Sequence, residues 1–363
     1  MTETDQRKED HIQICLEEKV QAQLTTTGLE DVHLIHRCLP ETSFETIQLT
    51  TPLFDHALSA PIIIEAMTGG TEKSAHINAV LAEAAEKFNI AMGVGSQRVA
   101  IENPETSYSF AIVRERAPHA FIIANVGGPQ LREYTLAHIT RAIDMIKANA
   151  LMIHLNALQE SIQPEGEPSY TGLLKKIQQL ATSISIPVLV KETGAGIAYE
   201  EALKLQEAGI QGLDVAGAGG TSWSAVETHR AKLRNDIMRE HLGKTFWDWG
   251  IPTAVSIVEA RTVAPLTIIG SGGLRTGLDV AKVIALGANV AGLAQPLLKA
   301  SLTNEVKTVI ERILLELKTA MFLIGAQSIP ELQSSPLVIM GKTAQWLRAR
   351  GFDINRFARR PNK

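Results

Sequence analysis

Eight short apolar runs recur along the chain, and each ends in a small or polar cluster: Pro61–Met67, Ile90–Gly95, Phe121–Val126, Leu151–Asn156, Pro187–Lys191, Gly212–Ala216, Leu266–Gly270 and Val290–Ala294. Each run is strand-length. Most neighbours are separated by one helix-length segment with apolar positions on one face, as in His76–Phe88, 137–148 and 199–208. Strands alternating with such segments predict an α/β fold, a (β/α)8 TIM barrel. The barrel core is expected at 60–300, inside a single-domain chain of 1–363, after an N-terminal extension (1–59) and before C-terminal helices and a tail (301–363). In the extension, Asp10–Lys19 reads as helix, and Asp31–Arg37 and Thr46–Leu49 read as strands that would plug the barrel bottom.

One connection breaks the rhythm. A long insertion, 221–252, follows strand six; it holds a basic helical piece, Glu227–His241, then FWDWGIP at 246–252. Pro252 can open the next helix, which runs through Val263. Such an insertion at the active end is a lid, an oligomer contact or an extra surface helix. Residues 305–325 and Thr343–Arg350 read as helices, and the basic tail RARGFDINRFARRPNK as a solvated end. Gly341-Lys342-Thr343 looks like the end of a P-loop, but Pro336 stands where its first glycine belongs.

Composition narrows the class. With 363 residues, 45% of them hydrophobic, the chain can bury a large core, and a net charge of −4 argues against nucleic acid as a partner. Cys15 and Cys38 have no metal-like spacing, which fits a reducing, cytoplasmic setting. The opening MTETDQRKEDHIQ is too polar for a signal peptide, and no apolar stretch approaches the roughly 20 residues that span a bilayer, so no membrane association is expected.

Parallel barrels keep their chemistry where strands run into βα loops. On strand four, Met152, His154 and Asn156 share one face and Leu151, Ile153 and Leu155 the other. The apolar set should face the helices, which turns His154 and Asn156 into the mouth. Gln159 and Glu160 follow on the loop; a single hard carboxylate suits Mg²⁺ held partly by water and phosphate. Ser96 and Arg98 share parity after strand two, where an arginine can fork onto phosphate or carboxylate. Lys191 ends an apolar strand and needs an ion-pair partner (Asp214 is available), a Schiff base or an anionic cofactor. Gly217, Gly219 and Gly220 before Thr221, and Gly270, Gly272 and Gly273 before Leu274 and Arg275, allow backbone to approach a phosphate, with Ala294 closing strand eight. By composition alone, Arg7, Lys8 and His11 are a charged end.

These motifs resemble the type 2, flavin-dependent isopentenyl-diphosphate isomerases over essentially the whole chain: RKEDH at 7–11, AMTGG at 66–70, GSQR at 95–98, Asn125, HLNALQE at 154–160, VKETG at 190–194, GGTSW at 219–223, WGIPT at 249–253 and SGGLRTG at 271–277. The resemblance implies FMN in the barrel mouth. Ala66, Met67 and Thr68 would flank the flavin ring; Ser96, Asn125 and Lys191 would hydrogen-bond it; Thr221, Gly272, Gly273, Leu274, Arg275, Leu293 and Ala294 would serve its phosphate end. Ala216 stands where the family often has serine. Arg7, Lys8, His11, Ser96, Gln97, Arg98 and Asn156 would surround the substrate diphosphate, with His154 and Gln159 as catalytic residues, Gln159 near the isoprenoid carbons, and Glu160 on Mg²⁺. The implied reaction interconverts isopentenyl and dimethylallyl diphosphate by a 1,3-proton shift. Reduced FMN would act as acid and base, NADPH or NADH would serve only to reduce it, and the assembly would be a homo-tetramer or homo-octamer.

Three other readings weaken against the residues. A hydroxy-acid oxidase needs a His–Arg pair near strand six or seven; His229 and Arg230 fall in the insertion helix and read as surface. A nucleotide dehydrogenase needs a cysteine in a mouth loop, and both cysteines precede the barrel. A regulatory, non-catalytic barrel has no use for His154, Gln159 and Glu160.

Overall fold

A computed structural model describes residues 3–360, with side chains from Arg7 onward. Eight parallel strands close into a barrel. They are Ile62–Ile64 (β1), Ala91–Gly93 (β2), Ile122–Gly127 (β3), Ala150–His154 (β4), Val188–Lys191 (β5), Gly212–Asp214 (β6), Thr267–Ser271 (β7) and Val290–Leu293 (β8). β8 pairs with β1, and β6 pairs with β7 to complete the ring. Every run read from the hydrophobic pattern supplies one barrel strand.

Alternation sorts the two faces of each strand. Ile63, Ala91, Ile123, Met152, Leu189, Ile269 and Val290 pack together inside the barrel. Leu151, Ile153, Val190, Leu213 and Ile268 belong to the larger core beneath the helices. One step further up the inward-facing positions, the residues become polar: Glu65, Asn125, His154, Lys191, Asp214 and Ser271. The barrel is therefore sealed by hydrocarbon below and opens onto a polar layer above.

The plug at the bottom is not the pair of segments expected. A hairpin, Thr51–Leu53 with His56–Leu58, inserts Leu53 and Leu58 among the inward residues, and Phe54 stacks on Phe121. Val32–Leu34 pairs instead with Leu337–Ile339 outside the barrel, and residues 47–50 are irregular. Leu53 and Leu58 are the large residues that point into the barrel end; Thr46–Leu49 has only Ile47 buried.

The insertion folds as two helices, Trp223–Leu233 and Ile237–Thr245, rather than one. Arg234 ends the first, and Asp236 caps the second, accepting from the Arg239 amide at 3.0 Å. The helices touch at Gly243, where a Cβ would fall 2.1 Å from Thr228 Oγ1, so only glycine permits the approach. The tail is also not a solvated end. Ile354 and Phe357 are buried, and Arg360 donates to the carbonyls of Ala285 (2.7 Å) and Ser335 (3.1 Å). Its apolar side chains dock it, and the arginine meets carbonyls at a helix C-terminus, where cations are favoured.

Candidate active site

The polar layer forms the floor of a cavity at the mouth of the barrel. The cavity admits water centres over about 280 Å³, against roughly 10–15 Å³ for a single water, so it can hold a sizeable ligand. Lys191 and Asp214 sit side by side because β5 and β6 register them, with Nζ 3.7 Å from Oδ2. Asp214 Oδ1 also accepts from Ser271 Oγ. Burial pushes Lys191 toward neutrality, but Asp214, Glu65 and Glu192 outweigh it and raise the ammonium's pKa. The lysine is charged at the cavity floor.

His154 stands beside it. Burial first, then the charges of Lys191, Arg7 and Lys8, depress its pKa to about 3. The imidazole is therefore neutral near pH 7. Asn125 fixes its tautomer: Asn125 Nδ2 donates to Val94 O at 3.1 Å, leaving Oδ1 to accept from His154 Nδ1 at 2.9 Å. Nε2 then carries a lone pair.

The roof comes from the far N-terminus. Helix Glu3–Glu17 lays Arg7, Lys8 and His11 on the cavity wall. Lys8 Nζ donates to the carbonyls of Gly69 and Ser96, anchoring the helix over the loops after β1 and β2. Arg98 meets Glu102 at 2.8 Å and Glu167 at 2.9 Å. Arg7 makes no side-chain hydrogen bond or ion pair among the described residues; burial and the neighbouring Arg98 lower its pKa. A half-desolvated cation beside other cations attracts an anion.

Asn156, Gln159 and Glu160 form one buried network. Asn156 Nδ2 donates to Gln159 Oε1 (3.1 Å) and Glu160 Oε1 (2.8 Å), while Glu160 Oε2 accepts from Gln163 Nε2 (3.1 Å) and the Glu167 amide (2.7 Å). Gln159 Nε2 reaches Glu227 Oε1 at 3.0 Å, and the same oxygen meets His11 Nε2 at 2.8 Å.

Behind Glu227 lies Arg230, only 1% exposed, which overturns its reading as a surface residue; His229 is likewise mostly covered. The turn of the insertion helix that holds both packs against the N-terminal helix. Arg230 meets Glu227 at 2.7 Å, Glu165 at 2.8 Å and Asp10 at 3.6 Å, so one guanidinium ties the N-terminal helix, the loop after β4 and the insertion. Burial alone would raise the Glu227 pKa; His11, Arg230 and Gln159 bring it instead to about 2. The latch is thus ionised, and its stabilisation is complete above about pH 4.5 and lost as pH falls through about 2. Arg230→Met should cost about 3–5 kcal/mol in urea unfolding at neutral pH, because three carboxylates lose a buried partner, the fully buried Glu227 among them. Hydrogen exchange should accelerate across residues 7–17 and match wild type if the latch is idle.

The remaining wall is backbone. Gly272 and Gly273, at φ 106° and 77°, turn the loop after β7 beneath Leu274 and Arg275. Arg275 has no carboxylate in ion-pair contact among the described residues, and burial lowers its pKa. Thr221, Ala66, Met67, Thr68, Ser96 and Ala294 complete the lining. Two expected residues do not join it. Gln97 is fully buried behind the wall: Nε2 donates to Ala142 O (2.8 Å) and Oε1 accepts from the Asn125 amide (3.0 Å), stapling the loop after β2 to β3. Leu293 points outward into the helix-facing core and offers the site only its carbonyl, which the Glu65 amide occupies at 3.0 Å. Sequence reasoning missed Glu65, Glu227 and Arg230. Only Glu65 had a local signal, sharing parity with the inward Ile63.

Comparison with known proteins fits this geometry. The family model for FMN-dependent dehydrogenases matches residues 157–339. A flavocytochrome b2 variant with sulfite bound superposes with a TM-score of 0.66 at 18% identity, covering 98% of this chain and 86% of that one. A putative lactate oxidase of Pediococcus acidilactici gives 0.64 at 16%, covering 93% and 94%. These likenesses define a flavoenzyme-type barrel. The isopentenyl-diphosphate delta-isomerase of Methanosarcina barkeri is 46% identical over 98% of this chain and 97% of its own length; that of Methanothermobacter thermautotrophicus is 46% identical over 98% and 99%. The chain belongs to the type 2 isopentenyl-diphosphate delta-isomerases, and it is an enzyme.

Proposed function

We propose that the chain interconverts isopentenyl diphosphate and dimethylallyl diphosphate, with FMN in the barrel mouth and Mg²⁺ on the diphosphate. The observation that carries this reading is Arg7, without an ion-pair partner among the described residues, set with Lys8, Arg98 and neutral His154 above a charged Lys191. Such a site wants two anionic ligands. The floor suits a flavin, with Lys191 at an anionic edge, Asn125 and Ser96 as polar partners, and Arg275 with the glycine loop at the phosphate. The roof suits a diphosphate. Glu160, a hard carboxylate on the cavity lining, suits Mg²⁺ completed by water and phosphate.

The reaction moves one proton: one is added at the terminal methylene carbon and one is lost from the carbon on the far side of the double bond. Electrons balance without net redox. The chemistry a reduced flavin supplies when bound is acid and base strength that the side chains here lack. The protein's own part is positioning. Arg7, Lys8 and Arg98 grip the diphosphate, remote from the reacting carbons, so binding energy can hold the alkene in place. Gln159, fixed between Asn156 and Glu227, orders the region beside those carbons. The roof excludes water from a cation-like transition state. NADPH or NADH would serve as reductant. Leu233, Ile237, Met238 and Trp249 are exposed on the insertion and supply an apolar face for a homo-tetramer or homo-octamer. The free cysteines fit a reducing, cytoplasmic setting; among the described residues no helix is long and apolar enough to cross a membrane.

An anaerobic assay with isopentenyl diphosphate, Mg²⁺, FMN and NADPH tests this. Dimethylallyl diphosphate should appear only with reduced flavin and without stoichiometric NADPH use. Consumption of NADPH at each turnover would point instead to oxidoreductase chemistry. Glu160→Gln should lose Mg²⁺-dependent activity at least 100-fold while retaining FMN; undiminished turnover would remove Glu160 from the metal site.

A further inference from the structure

Two carboxyls meet one lysine at the cavity floor, and the charges do not balance. Glu65 is 7% exposed and Asp214 is 0% exposed. They belong to the same layer: the Glu65 amide bonds Leu293 O on β8, Ser271 pairs with Gly292 between β7 and β8, and Ser271 Oγ donates to Asp214. Glu65 reaches into this layer through a gap left by glycine. A Cβ on Gly292 would fall 1.9 Å from Glu65 Oε1 and 2.7 Å from Ser271 Cβ. Glu65 Oε1 and Asp214 Oδ2 are each buried without a hydrogen-bond partner. The two carboxyls act on each other through their charges.

A buried carboxyl oxygen that no protein group donates to is costly as an anion, and a proton on one of two neighbouring carboxyls removes that cost. We propose that Glu65 is a neutral carboxylic acid that donates its proton to Asp214, so that the floor carries one carboxylate against one ammonium. Burial and Asp214 both push the Glu65 pKa well up, and Lys191 opposes them. The groups facing the pair are Lys191, with Glu192 behind it and His154 beside it. Glu65 thereby makes Asp214 a rigid, half-satisfied counter-ion and leaves part of the lysine's field directed at the cavity. Glu65 acts through Asp214 and Lys191, so it is a positioning residue. Its effect on a flavin rests on the proposed FMN site; its protonation does not.

Infrared difference spectroscopy of the apoprotein, wild type minus Glu65→Gln at pH 7, tests the protonation. Expected is one band of a protonated carboxyl that shifts on exchange into D₂O and is lost in the variant. No such band would overturn the proposal. If Glu65→Gln does not fold, wild-type protein carrying ¹³C in glutamate carboxyls decides the same point: the band shifts with the label, or Glu65 is ionised. The second readout is the flavin midpoint potential. Glutamine is isosteric with the neutral acid, so Glu65→Gln should leave the potential unchanged, whereas Asp214→Asn, which deletes a charge, should raise it. A raised potential in Glu65→Gln would mean that Glu65 is a carboxylate, and the proposal would fail. Absence of FMN binding with the band intact would sink the flavin site and spare the proton.

Discussion

Replacing Lys191 with methionine should destabilise the protein by about 3–5 kcal/mol, a large share of what holds a domain folded. The side chains of Lys191 and Asp214 are 8% and 0% exposed, and no other cation meets Asp214 in an ion pair among the described residues. Methionine keeps the stem's packing and removes only the charge, so the loss reports an uncompensated buried carboxylate. Lys191→Met/Asp214→Asn should recover much of it, because neutralising both partners leaves no buried charge alone. Urea unfolding of the two singles and the double measures the coupling. If the losses simply add, the pair is not an energetic unit. FMN affinity should fall in the single variant as well, since the floor turns from charge-balanced to anionic.

Arg7→Ala should behave in the opposite way. Among the described residues Arg7 has no hydrogen bond or ion pair to lose, and the charges of Arg98 and Arg230, which oppose its own, stand against those of Glu165 and Glu160, which favour it. Its removal should leave unfolding stability unchanged or slightly raised. A charge-assisted hydrogen bond to phosphate is worth about 1.5–3 kcal/mol, so KM for the diphosphate should rise about 10- to 150-fold, with a smaller change in kcat. Arg98→Ala provides the contrast. Arg98 already bonds Glu102 and Glu167, so its loss should weaken both stability and substrate binding. Steady-state kinetics with thermal unfolding separates the two arginines; an unchanged KM in Arg7→Ala would remove it from the clamp.

Most of the barrel and its polar layer were legible from alternation alone. Met152, His154 and Asn156 share parity, and the structure puts the first inside the apolar barrel and the other two in the cavity. The same rule applied to Ile63 reaches Glu65, the one charged residue inside the run Pro61–Met67. Gln97 and Leu293 show the limit of carrying roles by position. Each has its backbone beside the site and its side chain turned away, which strand alternation foresees for Leu293 beside the inward Gly292. Glu227 and Arg230 had no local signal. Their partners lie far off in the chain, His11 at a separation of 216, and a basic helix whose buried turn faces another helix reads in sequence like a solvated one. The tail was misread for the same reason: two apolar anchors, Ile354 and Phe357, outweigh a run of arginines.

The roof also has a timing. Residues 7–11 are held first by the carbonyls of Gly69 and Ser96, while Glu227 and Arg230, which complete the hold, are made some 216 residues after His11. Until the insertion is made, this helix has only the loops after β1 and β2 to rest on. The full docking of the roof therefore waits on the insertion helix. A bulky domain fused ahead of Arg7 would burden that final docking step and leave barrel closure alone, yielding a folded protein with a roofless site.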